Sequence, residues 1–568
     1  MGNRQPHRRL PRERPTNSNG CDSLSSTPVL SYHNNLDSST LKITAAFRKL
    51  HVMDGNANPS DAEIRAQPNP DPPSRGGALP WLMPSLTQWL WLIILLILLA
   101  QPWRTMMISS DGDACLHWRV GEYMLETGRI LRTDVFSHTR LGQPIVSKEW
   151  VSELIFARTG RFAGLYGLCV VAALLIATSF ALLHRQLVCE TGDHAVAIFV
   201  AFIAAWAACT HWLARPHAFS FLLAVLWADA LRRFDRGASA RHLAITLGVL
   251  TLLWVNLHGG YLAGFITLGI YWFGTVIELL LARADRARRS AARRKLAVLT
   301  GVVALCGVVS LLNPSGYQLH LHNLHFLRSD YLSDWLVEYA SPDFHDADSR
   351  GFLAWLGLTF LTLALVRPRL SPSSGILLIV WTYSALYARR NIPLLVIFVA
   401  PILATALAGA APAWVRRLSD RLRETYEMSR GWLLVGLAAV VAIVVVPRPT
   451  ELPAKKWPVA AVEFIRQHPG QFGGNMFNHY VWGGYLLHAL PEHRVFVDGR
   501  TDFYGESLIR QYNDTSLLHT NWLQALQQYN VSWTLLPTEH RLNLALALLP
   551  DWRCVYSNEV ATVFCKQP

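Results

Sequence analysis

Apolar runs of about 15–25 residues, separated by short polar segments, occupy most of the chain. They lie at 81–102, 160–184, 194–213, 216–231, 243–257, 259–281, 296–312, 351–366, 374–388, 391–410 and 431–447. About 20 apolar residues in a helix cross a bilayer core about 30 Å thick. The pattern therefore predicts a polytopic α-helical membrane protein with about eleven spans over 80–447. Residues 1–79 are rich in Arg, Pro, Asn and Ser and carry no sustained apolar period. They are expected to be a disordered cytoplasmic tail. The first long apolar run begins near Trp81, so no signal peptide is expected, and Met53 offers an alternative start. Past 448 the pattern changes to short strands alternating with helical stretches. Strands are predicted at 475–477, 494–498, 532–536, 552–557 and 561–566, and helices at 457–467, 506–513, 520–529 and 538–548. Residues 448–568 thus read as a small external α/β domain.

The stretch 111–153 between the first two apolar runs is too polar to cross a bilayer. Leu116, Val120, Tyr123 and Met124 recur at helical spacing, and Gly128 is placed to end that helix. A second helix is predicted after Ser147, through Trp150, Val151, Leu154 and Ile155. Both read as amphipathic helices lying on the membrane within an external loop, 103–159.

Charge then orients the chain. Only 16% of residues are charged, against about 25% for a typical soluble domain. The formal charge of +13 sits largely in short loops between apolar runs: 283–295 carries seven basic residues against one acid, and 232–241 carries four against one. That is the signature of cytoplasmic loops facing anionic lipid, not of a nucleic-acid partner. An inner-membrane protein is predicted, with a cytoplasmic N-terminus and a periplasmic C-terminus. None of the eight Cys residues forms a CxxC pair, which argues against a thiolate metal or redox site. Cys554 and Cys565 are close enough in sequence to pair in an oxidising compartment.

This orientation gathers the unusual polar residues on the outer face. They are Asp111, Asp113 and His117; Arg215 and His217; Asn256 and His258; and Arg389, Arg390 and Asn391. Either Asp can cap the following helix or serve as a general base or metal ligand. The Arg residues can snorkel to lipid headgroups or clamp a phosphate in bidentate fashion. Gly259 and Gly260 open a span, where free N–H groups favour an anion. His320, His322 and His325 do not match a metal-binding spacing, and Asp343, His345, Asp346 and Asp348 read as solvated. Asp498, Arg500 and Asp502 follow a predicted strand and form a second candidate site.

At these residues the chain resembles bacterial multi-pass proteins of the GT-C glycosyltransferase type. The resemblance rests on Asp113, His117, Gly121 and Gly128, on TDVFSHT (133–139) and KEW (148–150), and on WVNLHGGYLAGF (254–265). ARRNIPLLVIFVAP (388–401), NHYVWGGYL (478–486) and VFVDGRTDFYG (495–505) extend it to the C-terminal region. It implies transfer of a sugar from a polyprenyl-phosphate donor to a glycan, lipid or protein acceptor on the periplasmic face, with inversion. Asp111 or Asp113 would be the base, and Arg215, Arg389 and Arg390 would hold the leaving phosphate. No cofactor is required by this reading, and a divalent metal is left open. The competing expectation is a non-catalytic transporter of lipid-linked glycan or an envelope-assembly partner. A transporter would place charges along a path through the spans, and the apolar runs are nearly free of them.

Overall fold

The computed structural model describes residues 83–110, 112–426, 431–445 and 452–567. The predicted N-terminal tail and Asp111 lie outside the described residues. The helices run in order α1 (Leu86–Leu99), α2 (Trp103–Ser109), α3 (Asp113–Thr127), α4 (Trp150–Thr191), α5 (His194–Ala208), α6 (His217–Asp235), α7 (Ala240–Leu257) and α8 (Leu262–Leu281). They continue with α9 (Arg286–Val309), α10 (Gln318–Leu327), α11 (Asp330–Trp335), α12 (Arg350–Val366), α13 (Pro372–Tyr387), α14 (Ile392–Gly409), α15 (Ala413–Tyr426) and α16 (Trp432–Val445). The C-terminal region adds α17 (Val459–Gln467), α18 (Gly483–Ala489), α19 (Thr501–Ser516), α20 (Trp522–Gln528) and α21 (Arg541–Leu546).

Every predicted apolar run falls on one of these helices. Among the described residues, six helices are long and apolar enough to cross a membrane. Counting the pair α1 and α2, bent by 66°, as one broken span makes seven. The chain is a multi-pass helical membrane protein. Helices α6 and α9 carry charge at one end, and α13 and α16 are short, which is why they fall outside that count.

Helix α3 forms as its spacing predicts. It ends at Gly128, whose φ of 66° is the left-handed conformation that glycine adopts without a Cβ clash. The second amphipathic helix forms at Trp150 and is set off from the span by a non-helical residue, Gly164 (φ 63°). It is the start of the 42-residue α4, which begins ten residues before the apolar run.

In the C-terminal region, β1 (Asn475–Asn478), β2 (Val531–Pro537), β3 (Trp552–Ser557) and β4 (Ala561–Lys566) form one sheet in the order β1-β2-β4-β3. The β1–β2 pair is parallel and the other two are antiparallel. Cys554 lies opposite Phe564, and Arg553 opposite Cys565. Side chains alternate faces along a strand, so the two cysteines point to opposite sides, and both are free. The predicted strand at 494–498 does not join the sheet. Its hydrogen bonds go elsewhere: Val495 N–H donates to Phe136 O and His138 N–H to Val495 O. Thr139 Oγ1 donates to Phe496 O at 2.7 Å, and Phe496 N–H to Asn478 Oδ1 at 2.8 Å. The first loop thus takes the place of a neighbouring strand and fastens the C-terminal region beside α3.

A buried charge network reinforces this seam. Arg500 donates to both Asp498 oxygens, at 2.9 and 2.6 Å, and to Asp134 Oδ1 at 2.8 Å. Tyr504 donates to Asp498 Oδ2 at 2.7 Å. Both carboxylates are completely buried, so the network holds only while every charge has a partner.

Candidate active site

A cavity of about 1090 Å³ opens where α3, the turn before α6, the turns opening α8 and α14, the 318–349 segment and the C-terminal region meet. Asp113, the first residue of α3, lines it. Gly112 is the residue at the cap and, among the described residues, no side chain caps this helix. The C-terminal glycines bring that region close. A Cβ on Gly484 would overlap the Gly112 carbonyl, and one on Gly499 would overlap the Asp113 carboxylate. Burial pushes the Asp113 carboxyl up to about 7; Glu338, Asp498 and Glu149 add to the rise and His117 opposes it.

Arg215 Nη1 lies 3.2 Å from Asp113 Oδ2 and 3.4 Å from Glu338 Oε2. Arg390 Nη1 lies 3.2 Å from Glu338 Oε1, and its guanidinium sits 4.5 Å from the centre of the Tyr339 ring. One carboxylate therefore bridges two guanidinium groups. Burial alone would raise Glu338, but Arg390 and Arg215 outweigh it and hold its carboxyl at about 2.

On the other side of Asp113, one helical turn along α3, His117 faces Glu149 and Glu153. Its Nδ1 is 3.7 Å from Glu149 Oε2 and 3.4 Å from Glu153 Oε1. Burial would lower His117, but the carboxylates of Glu153, Glu149 and Asp113 hold it above its ordinary value. His258 Nδ1 accepts from the Gly260 N–H at 3.0 Å. Its proton is therefore on Nε2, which points at Glu149 Oε1 from 3.6 Å. Lys148 pairs with Asp502 Oδ2, which His322 Nε2 also approaches at 2.6 Å. The Lys148 and His322 charges hold the Asp502 carboxyl well below the usual range despite its burial. Large apolar side chains with substantial exposure line the same cavity: Met106 (50%), Ile266 (47%), Leu327 (55%) and Val337 (67%).

Solved structures with this arrangement of helices exist. The oligosaccharyltransferase of Archaeoglobus fulgidus in its apo form superposes with a TM-score of 0.51 at 14% identity, over 79% of this chain and 69% of that one. The archaeal oligosaccharyltransferase AglB from the same organism, in complex with an inhibitory peptide and a dolichol-phosphate, gives 0.52 at 14% identity, over 85% and 74%. ArnT from Cupriavidus metallidurans bound to undecaprenyl phosphate gives 0.46 at 14% identity, over 84% and 98%. The fold is GT-C-like. The sequence matches no protein-family model and no curated protein.

Within this GT-C-like frame, most residues singled out from sequence converge. Asp113, His117, Arg215, His217, His258, Arg389, Arg390 and Asn391 all line the one cavity. Arg500 and Asp502, from the second candidate cluster, line it too. Asp498 stands behind them, buried against Arg500. Asn256 turns away: its Oδ1 accepts from Trp150 Nε1 at 2.8 Å and its amide donates to Leu252 and Leu312 carbonyls. It fixes the start of α4 beside the 256–260 turn. His217 Nε2 is engaged with the His211 carbonyl at 2.9 Å. The three histidines of α10 diverge: His320 meets Tyr261 and Ser310, His322 meets Asp502. Lys148, Glu149, Glu153 and Glu338 were not singled out. KEW (148–150) carried a signal for the first two, whereas nothing in the pattern around Glu338 distinguished it from other loop acids.

Proposed function

We propose that this protein is an integral membrane glycosyltransferase that moves a sugar from a polyprenyl-phosphate-linked donor to an acceptor on the periplasmic face. The observation that carries this reading is a single cavity in which an elevated carboxylate, Asp113, stands 3.2 Å from a guanidinium pair's nearer member. The apolar side chains at its edge suit a polyprenyl chain, and the GT-C-like fold agrees with the sequence resemblance. In this reading the N-terminus is cytoplasmic and the C-terminus periplasmic.

The chemistry is a single displacement. Asp113 takes the proton from the acceptor hydroxyl or amide as that atom bonds to the anomeric carbon. The carbon–oxygen bond to the phosphate breaks from the opposite side, inverting the centre, and its electron pair passes to the phosphate oxygen. Arg215 and Arg390 stabilise that developing charge; guanidinium suits phosphate geometry. Asp113 titrating near 7 is well matched to act as a base near neutral pH, a contribution of about 10²–10⁴ in rate.

The test is transfer of radiolabelled sugar from membrane-extracted polyprenyl-phosphate donors, with wild type and Asp113→Asn at equal expression. Transfer should fall at least about a hundredfold in the variant. Equal transfer by a folded Asp113→Asn protein would remove Asp113 from the chemistry.

A further inference from the structure

The two guanidinium groups that would receive the leaving phosphate already hold an anion. Glu338 Oε2 lies 3.4 Å from Arg215 Nη1, and Glu338 Oε1 lies 3.2 Å from Arg390 Nη1. Guanidinium engages carboxylate and phosphate through two oxygens in the same way, so one anion can stand where the other belongs. The charges do not accommodate both. Glu338 stays ionised, its carboxyl held at about 2, and Asp113 Oδ2 lies 3.2 Å from Arg215 on the other side. A phosphate entering beside them would crowd a further anion against two guanidinium groups whose side chains are only 15% and 24% exposed. Like charges that close in a half-dry site repel strongly.

The backbone that carries Glu338 is suited to yielding. Glu338 is the middle residue of a single 3₁₀ turn, Val337–Tyr339. The N–H groups of Leu336, Tyr339 and Ala340 donate within the segment, to the carbonyls of Leu332, Leu336 and Val337. The turn hangs between two anchors: Trp335 Nε1 donates to Asn513 Oδ1 at 3.0 Å, and the Arg389 N–H donates to Ala340 O at 3.1 Å. The Glu338 side chain keeps 26% exposure, so its carboxylate can turn into water without being stranded.

We propose that Glu338 is a displaceable stand-in for the donor phosphate. It pairs with Arg215 and Arg390 in the empty protein, leaves when the polyprenyl-phosphate-linked donor arrives, and returns to compete the product phosphate off. The proposal rests on the glycosyl-transfer reading. Donor affinity is then reduced by the fraction of molecules in which the arginine pair is occupied. Transfer turns a phosphodiester with a single negative charge into a phosphomonoester carrying about 1.5–2 at pH 7. The arginines would hold that product more tightly than the donor, and the returning carboxylate opposes this retention.

The experiment uses the full chain in detergent with a short-chain polyprenyl phosphate as the probe, its binding followed by tryptophan fluorescence. Glu338→Gln keeps the shape and removes the charge, so it should bind the probe at least about tenfold more tightly than wild type. Cryo-electron microscopy of wild type with the probe needs no variant. It should show phosphate oxygens on both guanidinium groups and the Glu338 carboxylate beyond hydrogen-bond distance of either. Equal or weaker binding by a folded Glu338→Gln protein, or a wild-type complex in which Glu338 still bridges the pair, overturns the proposal alone. Binding by neither protein overturns the phosphate clamp itself, and the proposal with it.

Discussion

Replacing Asp113 by Asn should stabilise the protein while removing its activity, and the gain should depend on pH. Folding raises the Asp113 carboxyl from 3.8 to about 7. A carboxyl raised in this way binds its proton more tightly in the folded state. The ionised form therefore costs stability: nothing below about pH 4, an increasing amount as pH climbs toward 7, and the full amount above. At about 1.4 kcal/mol per pH unit, the cost would be about 4 kcal/mol at pH 8 and about 2 kcal/mol at pH 5. Arg215 at 3.2 Å and a side-chain exposure of 22% offset part of this, and about half is a fair allowance. Asn keeps the shape and carries no charge, and Arg215 keeps Glu338. We expect Asp113→Asn to be more stable than wild type by about 2 kcal/mol at pH 8 and about 1 kcal/mol at pH 5. Thermal unfolding in detergent, followed by tryptophan fluorescence at both pH values, measures this. A variant less stable than wild type at pH 8, or a difference that does not grow with pH, would show that Asp113 ionises without strain. The reasoning that makes it a poised base would then fail.

Arg215→Gln should weaken the donor more than the acceptor, raising the donor KM about 10–100-fold, the value of a charge-assisted contact; initial rates across donor concentrations decide it, and an unchanged donor KM counts against the clamp. Asp134→Ala leaves Arg500 paired with Asp498 alone and the Ser137 N–H and hydroxyl without their acceptor, so the seam between first loop and C-terminal region should lose about 1–3 kcal/mol. Limited proteolysis and melting temperature report that loss, and wild-type resistance would contradict it. Gly499→Ala puts a methyl against the Asp113 carboxylate, so transfer should fall by about tenfold or more while the fold persists, because a small misplacement of a reacting group is costly.

The sequence alone determined the broad layout. A 20-residue apolar period, basic loops and a late change to alternating strands are local properties, and local properties survive being read one segment at a time. For the same reason Gly128 could be placed at a helix end. The candidate residues were legible singly, since an Arg or Asp at the edge of an apolar run is unusual wherever it occurs.

What brought them together was decided only in three dimensions. The strand expected at 494–498 has the right residues but finds its hydrogen-bond partners in the first loop, and no periodicity records a partner some 360 positions away. That pairing sets Arg500 and Asp502 beside the cavity that Asp113 lines. Glu338 acquired its importance by standing between Arg215 and Arg390, residues drawn from separate turns. The closeness of His117 to Glu149 and Glu153 depends on the α3–α4 crossing, tight because Gly121 has no side chain. Burial, which sets the proton affinity of Asp113, is likewise a property of the whole assembly around a residue and not of the residue's own position in the chain.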